Sequence, residues 1–88
     1  MHTIIVAHIG AAQRPWYEAR LERGNPKIFG SSRNRAQAIG ILLEITGNAP
    51  DFNAVSTSHE SLGDHAIANP EIYGIAAIED RTDPFLDE

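Results

Sequence analysis

The fold of this chain is organised by one stretch, Phe29–Pro50, whose sequence is FGSSRNRAQAIGILLEITGNAP. Two serines and an asparagine near its start can cap the first turn of a helix. A Gly-Asn pair near its end, followed by a proline, supplies a left-handed cap and a stop. The stretch therefore predicts one helix from about Arg33 to Thr46.

The apolar surface of this predicted helix is unusually wide. Its isoleucine, leucine and alanine side chains occupy about twice the arc of an ordinary surface helix, and only Gln37, Gly40 and Glu44 form a polar stripe. One sheet cannot bury that surface, so the C-terminal half of the chain, a second copy or another protein must cover the rest. Cover from the C-terminal half is favoured. Gly40 costs about 1 kcal/mol relative to alanine in mid-helix, which predicts close approach of another backbone unless the glycine is merely tolerated.

The composition places the chain among small globular proteins. Its 88 residues suffice for one modest core, and contents of 42% hydrophobic and 22% charged residues argue against disorder. The absence of cysteine removes disulfides, thiolate metal sites and a cysteine nucleophile. No apolar run approaches the roughly 18 residues of a membrane span, and the N-terminus lacks signal-peptide features. A cytoplasmic protein without membrane association is therefore expected.

Charge is distributed unevenly along the chain, whose net charge is −5. Residues 1–35 hold six basic and two acidic residues, a balance of +4. Residues 36–88 hold one basic and ten acidic residues, a balance of −9. The acidic half is suited to a basic partner, because opposite charges steer association.

Three strands are predicted before the helix. Thr3–Ile9 is rich in β-branched residues and apolar on both faces, which is typical of a central strand. Trp16–Arg23 alternates between apolar and polar positions, as the second arm of an antiparallel hairpin does. After a Gly-Asn-Pro turn, Lys27–Gly30 is long enough for a short third strand. The predicted fold class is α+β, with a three-stranded antiparallel meander packed on one main helix.

The second half of the chain carries weaker patterns. Ile72–Ile78 indicates a fourth strand near residues 71–79, or an amphipathic segment that covers the helix. The segment His59–His65 favours a solvated loop, since serine and glycine interrupt it. Residues 1–78 are thus expected to form a single domain, and the acidic residues 79–88 a flexible tail.

An aromatic residue opens the second predicted strand, a Gly-Pro-type turn follows it, and a short strand ending in Gly and Ser leads into an alanine-containing helix. These features are carried by Ile4–Ile9, Trp16–Leu21, Gly24-Asn25-Pro26, and Phe29-Gly30-Ser31-Ser32 followed by Ala36 and Ala38. In this order they resemble the HicB antitoxin family, whose β-β-β-α unit occurs in bacterial toxin–antitoxin pairs. The match covers about half of the chain.

The resemblance implies a non-catalytic, oligomeric interaction module that binds and masks a basic protein such as a small ribonuclease toxin. HicB proteins commonly also carry a C-terminal helix-turn-helix or ribbon-helix-helix segment, whereas residues 51–88 here are acidic and show no clear helix pair. No catalytic residue, metal or other cofactor is expected. The residues expected to bind the partner are aromatic anchors, one arginine and acidic residues near the C-terminus, namely Trp16, Tyr17, Arg20, Asp80, Asp83, Phe85, Asp87 and Glu88.

Two other functions stay open. A nucleic-acid-binding module would use Trp16 and the basic residues between Arg14 and Arg35. Ion pairing of these arginines within the chain is favoured over that role. A metal protein would use the histidines and carboxylates of residues 59–65, although their spacing matches no familiar signature.

Overall fold

The computed structural model describes residues 1–49 and 57–82 of the chain. These residues form a four-stranded sheet and two α-helices. The elements in chain order are β1 (His2–Ile9), β2 (Trp16–Leu21), β3 (Gly30–Ser32), α1 (Arg35–Ile45), α2 (His59–Ala68), a short 3₁₀ helix (Pro70–Tyr73) and β4 (Ile75–Thr82). No helix within the described ranges is long and apolar enough to cross a membrane.

The strands are arranged in the order β3-β2-β1-β4. β1, β2 and β3 pair antiparallel, whereas β4 returns parallel to β1 after the two helices. A parallel pair needs a long crossover, and α1 and α2 provide it. β1 is therefore a central strand, and its Ile4 and Val6 side chains are fully buried.

The helices pack on one face of the sheet. Ile4, Val6 and Ala19 form a buried cluster with Ile39 and Leu42 of α1. None of the described helices covers the opposite face, which we call the outer face. Its side chains alternate along the strands with those of the core. The residues that define its centre are Ile5, Ala7, Glu18, Arg20, Glu79 and Arg81.

The start of α1 is fixed by a capping hydrogen bond. Asn34 is the N-cap, and its side-chain oxygen accepts a hydrogen bond from the Gln37 backbone N–H at 3.0 Å. The Ser32 hydroxyl in turn accepts from the Asn34 backbone N–H at 3.0 Å. The helix begins at Arg35, later than the predicted Arg33, because the hydrogen bonds of Ser32 and Asn34 form a turn between β3 and α1. After the helix, Gly47 has a φ of 75°, in agreement with the predicted left-handed cap.

The expectation of a loop over residues 59–65 is wrong, because these residues belong to α2. Ser58 caps this helix, since its hydroxyl accepts a hydrogen bond from the Ser61 backbone N–H at 3.1 Å. Gly63 has low helix propensity, which is the reason that the sequence pattern favours a loop. Packing overrides that propensity, since Leu62 and Ala66 are buried in the same core as α1.

The two helices touch backbone to backbone at two glycines. A Cβ placed on Gly40 would overlap the carbonyl oxygen of His59. A Cβ placed on Gly63 would overlap the carbonyl oxygen of Ala36. α2 thereby covers the part of α1 that the sheet does not reach. Both the close approach predicted at Gly40 and the cover by the C-terminal half of the chain are confirmed.

The third and fourth strands lie later in the chain than predicted. The third strand begins at Gly30 rather than at Lys27, and a Cβ on this glycine would overlap the Ala38 carbonyl oxygen of α1. β4 begins at Ile75 and continues through residues 79–82, which the sequence assigns to the start of the acidic tail. Residues 83–88, the rest of that predicted tail, lie outside the described residues.

The α+β class is confirmed as a four-stranded mixed sheet with two helices. The more specific prediction of three strands on one helix is not confirmed, because β4 and α2 complete the layers. Pairing between β1 and β4 joins residues more than 70 positions apart, such as His2 with Ile75. Local periodicity carries no signal for such a contact.

The helix contact gives the first testable prediction. Gly63→Ala should lower the free energy of unfolding by about 1–3 kcal/mol, because the added methyl group forces the two helix backbones apart. Alanine raises intrinsic helix propensity, so a loss of stability isolates the effect of packing. Urea unfolding followed by circular dichroism measures the change. Asp64→Ala, at the next and exposed position of α2, is the matched control and should change stability little. A Gly63→Ala variant as stable as wild type would contradict the contact.

Candidate functional site

One end of the sheet gathers most of the side chains of interest. β1 and β4 both finish there, with His8 paired to Thr82. β2 starts there, and Tyr17 is paired with His8 on one side and with Ser32 on the other. α1 begins at the same end, shortly after β3. We call this region the hairpin end, and its defining residues are His8, Trp16, Tyr17, Arg35 and Asp80.

The Asp80 carboxylate is the centre of a hydrogen-bonded group at the hairpin end. The Arg35 Nε donates to Asp80 Oδ1 at 2.7 Å, and its Nη2 donates to Oδ2 at 2.9 Å. The His8 Nε2 lies 2.8 Å from the same Oδ1 and is the donor there, because a carboxylate accepts. This bidentate interaction joins the first residue of α1 to β4. The group thus ties three elements of the chain together, although the Asp80 side chain stays 42% exposed.

These contacts change the acidity of the carboxyl group. The hydrogen-bonded Arg35 guanidinium lowers the pKa of Asp80 below its ordinary value, against the opposing effect of partial burial. The hydrogen bond from His8 lowers the pKa further. Asp80 therefore carries its negative charge throughout the neutral range, and that charge is compensated within the chain.

The two aromatic residues at the start of β2 point to opposite faces of the sheet. Tyr17 lies on the helix face and meets the His8 ring edge to face, with the ring centroids 4.9 Å apart and an interplanar angle of 76°. Trp16 lies on the outer face opposite Ile9 and is 38% exposed. The Trp16 side chain is therefore accessible on the outer face, whereas the Tyr17 ring already packs against His8.

Three of the residues expected to bind a partner lie at the hairpin end, but on two faces of the sheet: Tyr17 and Asp80 on the helix face and Trp16 on the outer face. Arg20 lies elsewhere, near the centre of the outer face. There the Arg20 Nη2 lies 3.1 Å from Glu18 Oε1, and its guanidinium carbon lies 5.6 Å from the centroid of the Phe29 ring. The other expected residues, Asp83, Phe85, Asp87 and Glu88, lie outside the described residues.

His8 and Arg35 are members of the hairpin end that the sequence does not identify as such. The sequence pattern predicts His8 only as a hydrogen-bonded histidine on a largely apolar strand. Arg35 stands at a helix start, where a basic side chain is not favoured by the helix dipole. That mismatch is the one signal that could have pointed to a nearby carboxylate, but it does not say which one.

The histidines and carboxylates of residues 59–65 do not converge. His59 Nε2 lies 3.3 Å from Glu44 Oε1 on α1. The Glu60 carboxylate accepts a hydrogen bond from the Asn34 side chain at 2.6 Å. The Nδ1 of His65 lies 2.6 Å from the Tyr73 hydroxyl oxygen. Across residues 1–49 and 57–82, no group of three or more His, Cys, Asp or Glu side chains is placed to hold a metal ion.

A second prediction concerns the pH dependence of stability. The folded pKa of Asp80 is lower than the unfolded pKa, which is about 3.9. Its ionisation therefore contributes stability that is fully present above that value and is lost as the pH falls through the folded pKa. At pH 7, Asp80→Asn should lower the free energy of unfolding by about 1 kcal/mol or less, since the pair is exposed to solvent. The difference from wild type should shrink steadily below about pH 4.

Urea unfolding at a series of pH values measures this difference. Arg35→Gln supplies the matched background, because the cost of Asp80→Asn should be smaller once the guanidinium is removed. An Asp80→Asn cost that is the same at pH 3 and at pH 7, or the same with and without Arg35, would show that the ion pair contributes nothing.

The hairpin end therefore combines one exposed aromatic side chain, a second aromatic ring on the other face and a compensated ion pair. Within it, His8 and Asp80 use their facing atoms on each other, and Asp80 also accepts from Arg35. Comparison with family models, with curated proteins and with solved structures finds no match for this chain.

Proposed function

We propose that this chain is a small non-catalytic interaction module, similar to HicB antitoxins, that binds and masks a basic protein in the cytoplasm. A small ribonuclease toxin is the partner class that the resemblance implies. The observation that carries the proposal is the exposed Trp16 at the hairpin end of the outer face, across the sheet from Tyr17 and Asp80. β4 also finishes there at Thr82, so the acidic residues 83–88 follow directly in the chain.

Trp16 is the main anchor of the proposed site. Its side chain is 38% exposed on a face that none of the described helices covers. Tryptophan is enriched among residues that dominate binding energy, because it buries a large rigid surface at small cost in conformational entropy. Tyr17 lies on the helix face of β2, where its ring packs against His8.

The charge of the partner follows from the acidic second half of the chain. The Asp80 charge is already compensated by Arg35, so Asp80 acts mainly to fix the end of β4. The negative charge offered to a basic partner is that of Asp83, Asp87 and Glu88 in the sequence that follows. Complementary charge of this kind mainly raises the association rate and selects the partner.

The third prediction tests this function directly. The tagged chain should retain a stoichiometric, small, basic protein from its native host at moderate salt. With that protein purified, Trp16→Ala should weaken binding by at least about 2 kcal/mol, which is roughly a 30-fold higher Kd by calorimetry. Ile72→Ala is the matched control, since Ile72 is a 55% exposed apolar residue on the 3₁₀ helix.

Two results would contradict the proposal. If Trp16→Ala unfolds the chain, Trp16 is a core residue and not an anchor. If Trp16→Ala is folded and binds as tightly as Ile72→Ala, the partner uses another surface. Circular dichroism of each variant separates these cases before binding is measured.

A nucleic-acid-binding function is the second candidate, and one observation favours it. Arg14 in the β1–β2 connection and Arg33 after β3 belong to the hairpin end beside Trp16. Among the described residues, neither arginine forms an ion pair, whereas Arg20 and Arg35 do. In this hypothesis Arg14 and Arg33 contact phosphate while the indole stacks on a base.

The fourth prediction decides between the candidates. Trp16 is the only tryptophan, so stacking on single-stranded RNA should quench the fluorescence of the chain. In this hypothesis affinity falls steeply with salt, and replacing Arg14 or Arg33 by alanine reduces the slope of log K against log salt by about 1. Lys27→Ala is the control, because the structure places Lys27 in the β2–β3 connection, beyond the end of β2 that lies opposite to Trp16. Absent or salt-independent binding removes the nucleic-acid function and leaves the protein-binding proposal unaffected.

A further inference from the structure

The centre of the outer face carries four charges in a checkerboard on either side of β1. In one row across the sheet, Glu18 of β2 and Arg81 of β4 both pair with Ala7. In the neighbouring row, Arg20 of β2 and Glu79 of β4 both pair with Ile5. Each acidic residue therefore has a basic residue across from it and another beside it along its own strand.

The dimensions of this checkerboard follow from strand geometry. The two charged columns lie about 10 Å apart, because one strand separates them, and the two rows lie about 7 Å apart, two residues along a strand. Between the columns, Ile5 is only 7% exposed beside its charged neighbours. A shallow depression of about 430 Å³ follows β1 here. It is lined by Ile5, Ala7 and Ile9 of β1 and by Glu18, Arg20, Arg81 and Thr82 of the neighbouring strands.

A checkerboard of this kind is complementary to itself. Two identical faces can be related by a twofold axis that lies in the plane of the interface and runs perpendicular to the strands. In that arrangement each row of one copy faces the other row of the second copy. Glu18 then meets Arg20 of the second copy, and Glu79 meets Arg81 of the second copy. The same operation places the larger Ile5 of each copy opposite the smaller Ala7 of the other.

Other ways of pairing the two faces fit less well. A twofold axis along the strands also joins opposite charges, but it places the larger Ile5 against Ile5 and the smaller Ala7 against Ala7. A diagonal axis, which would give orthogonal sheets, places like charges together. The charges therefore exclude the orthogonal arrangement and the apolar shape selects the axis across the strands, both within the aligned class of sheet packing.

We propose that the outer face binds a second copy of this chain, sheet against sheet, about a twofold axis across the strands. The charge of the patch supports this occupant. Its two acids and two arginines sum to zero, whereas the whole chain carries −5. Two copies therefore meet where their mutual repulsion is least. A basic protein would place positive charge against Arg20 and Arg81, and a nucleic acid would place negative charge against Glu18 and Glu79.

Three purified full-length proteins, studied by sedimentation velocity from low to high micromolar concentration, test this arrangement. Wild type should form a dimer that weakens with added salt. Arg81→Glu places two pairs of like charges across the interface and should raise the dimer Kd at least about tenfold. The double variant Glu79→Arg with Arg81→Glu exchanges acid and base within one column, which restores every contact of the proposed arrangement and should restore the dimer.

The exchange variant distinguishes the two possible twofold axes. With an axis along the strands, its new arginine at position 79 would face Arg20 of the second copy, and the dimer would not be restored. Lys27→Glu is the control, since it changes net charge as Arg81→Glu does but lies in the exposed β2–β3 connection. A monomeric wild type, an Arg81→Glu dimer no weaker than that of Lys27→Glu, or an exchange variant as weak as Arg81→Glu would each overturn the proposal. All measurements use the chain alone, so their failure leaves the partner-binding function untouched.

Discussion

The contact between the α1 and α2 backbones is the constraint on which the rest of the structure depends. α1 has a wider apolar surface than one sheet can bury, and α2 covers the remainder only because Gly40 and Gly63 let the helices touch. The same contact sets where the chain goes next. From α2 the short 3₁₀ helix turns back, and Gly74, with a φ of 70°, admits β4 beside β1. β4 then pairs with β1 in parallel register from Ile75 to Thr82.

β4 in turn determines which residues of the chain are neighbours. Its parallel pairing with β1 brings Asp80 beside His8 and within reach of Arg35. The ion pair joins the start of α1 to the end of β4, so the helix layer and the sheet are connected at the hairpin end as well as through the core. Because the group is exposed, its contribution to stability is small. Its larger effect is positional, since it holds the end of β4, after which the acidic residues follow.

The two surfaces of the sheet have different roles in this arrangement. The helix face forms the core, and the outer face keeps its charged and small side chains in solvent. β4 adds Glu79 and Arg81 to the outer face and thereby turns a single charged column on β2 into a checkerboard. Trp16 lies at the end of the same face, away from that centre.

The sequence by itself determined the elements that depend on local signals. β-Branched residues predict β1, alternation predicts β2, capping residues and a Gly-Asn stop predict α1, and Gly40 predicts a close backbone contact. The tertiary structure alone decided that residues 59–68 form a helix, because Gly63 weakens the local signal but is required by the contact with Ala36. It also decided that Asp80 meets Arg35 and that Glu79 and Arg81 complete the outer face. These pairings join residues 45 or more positions apart, and local propensity and periodicity carry no information about such distances.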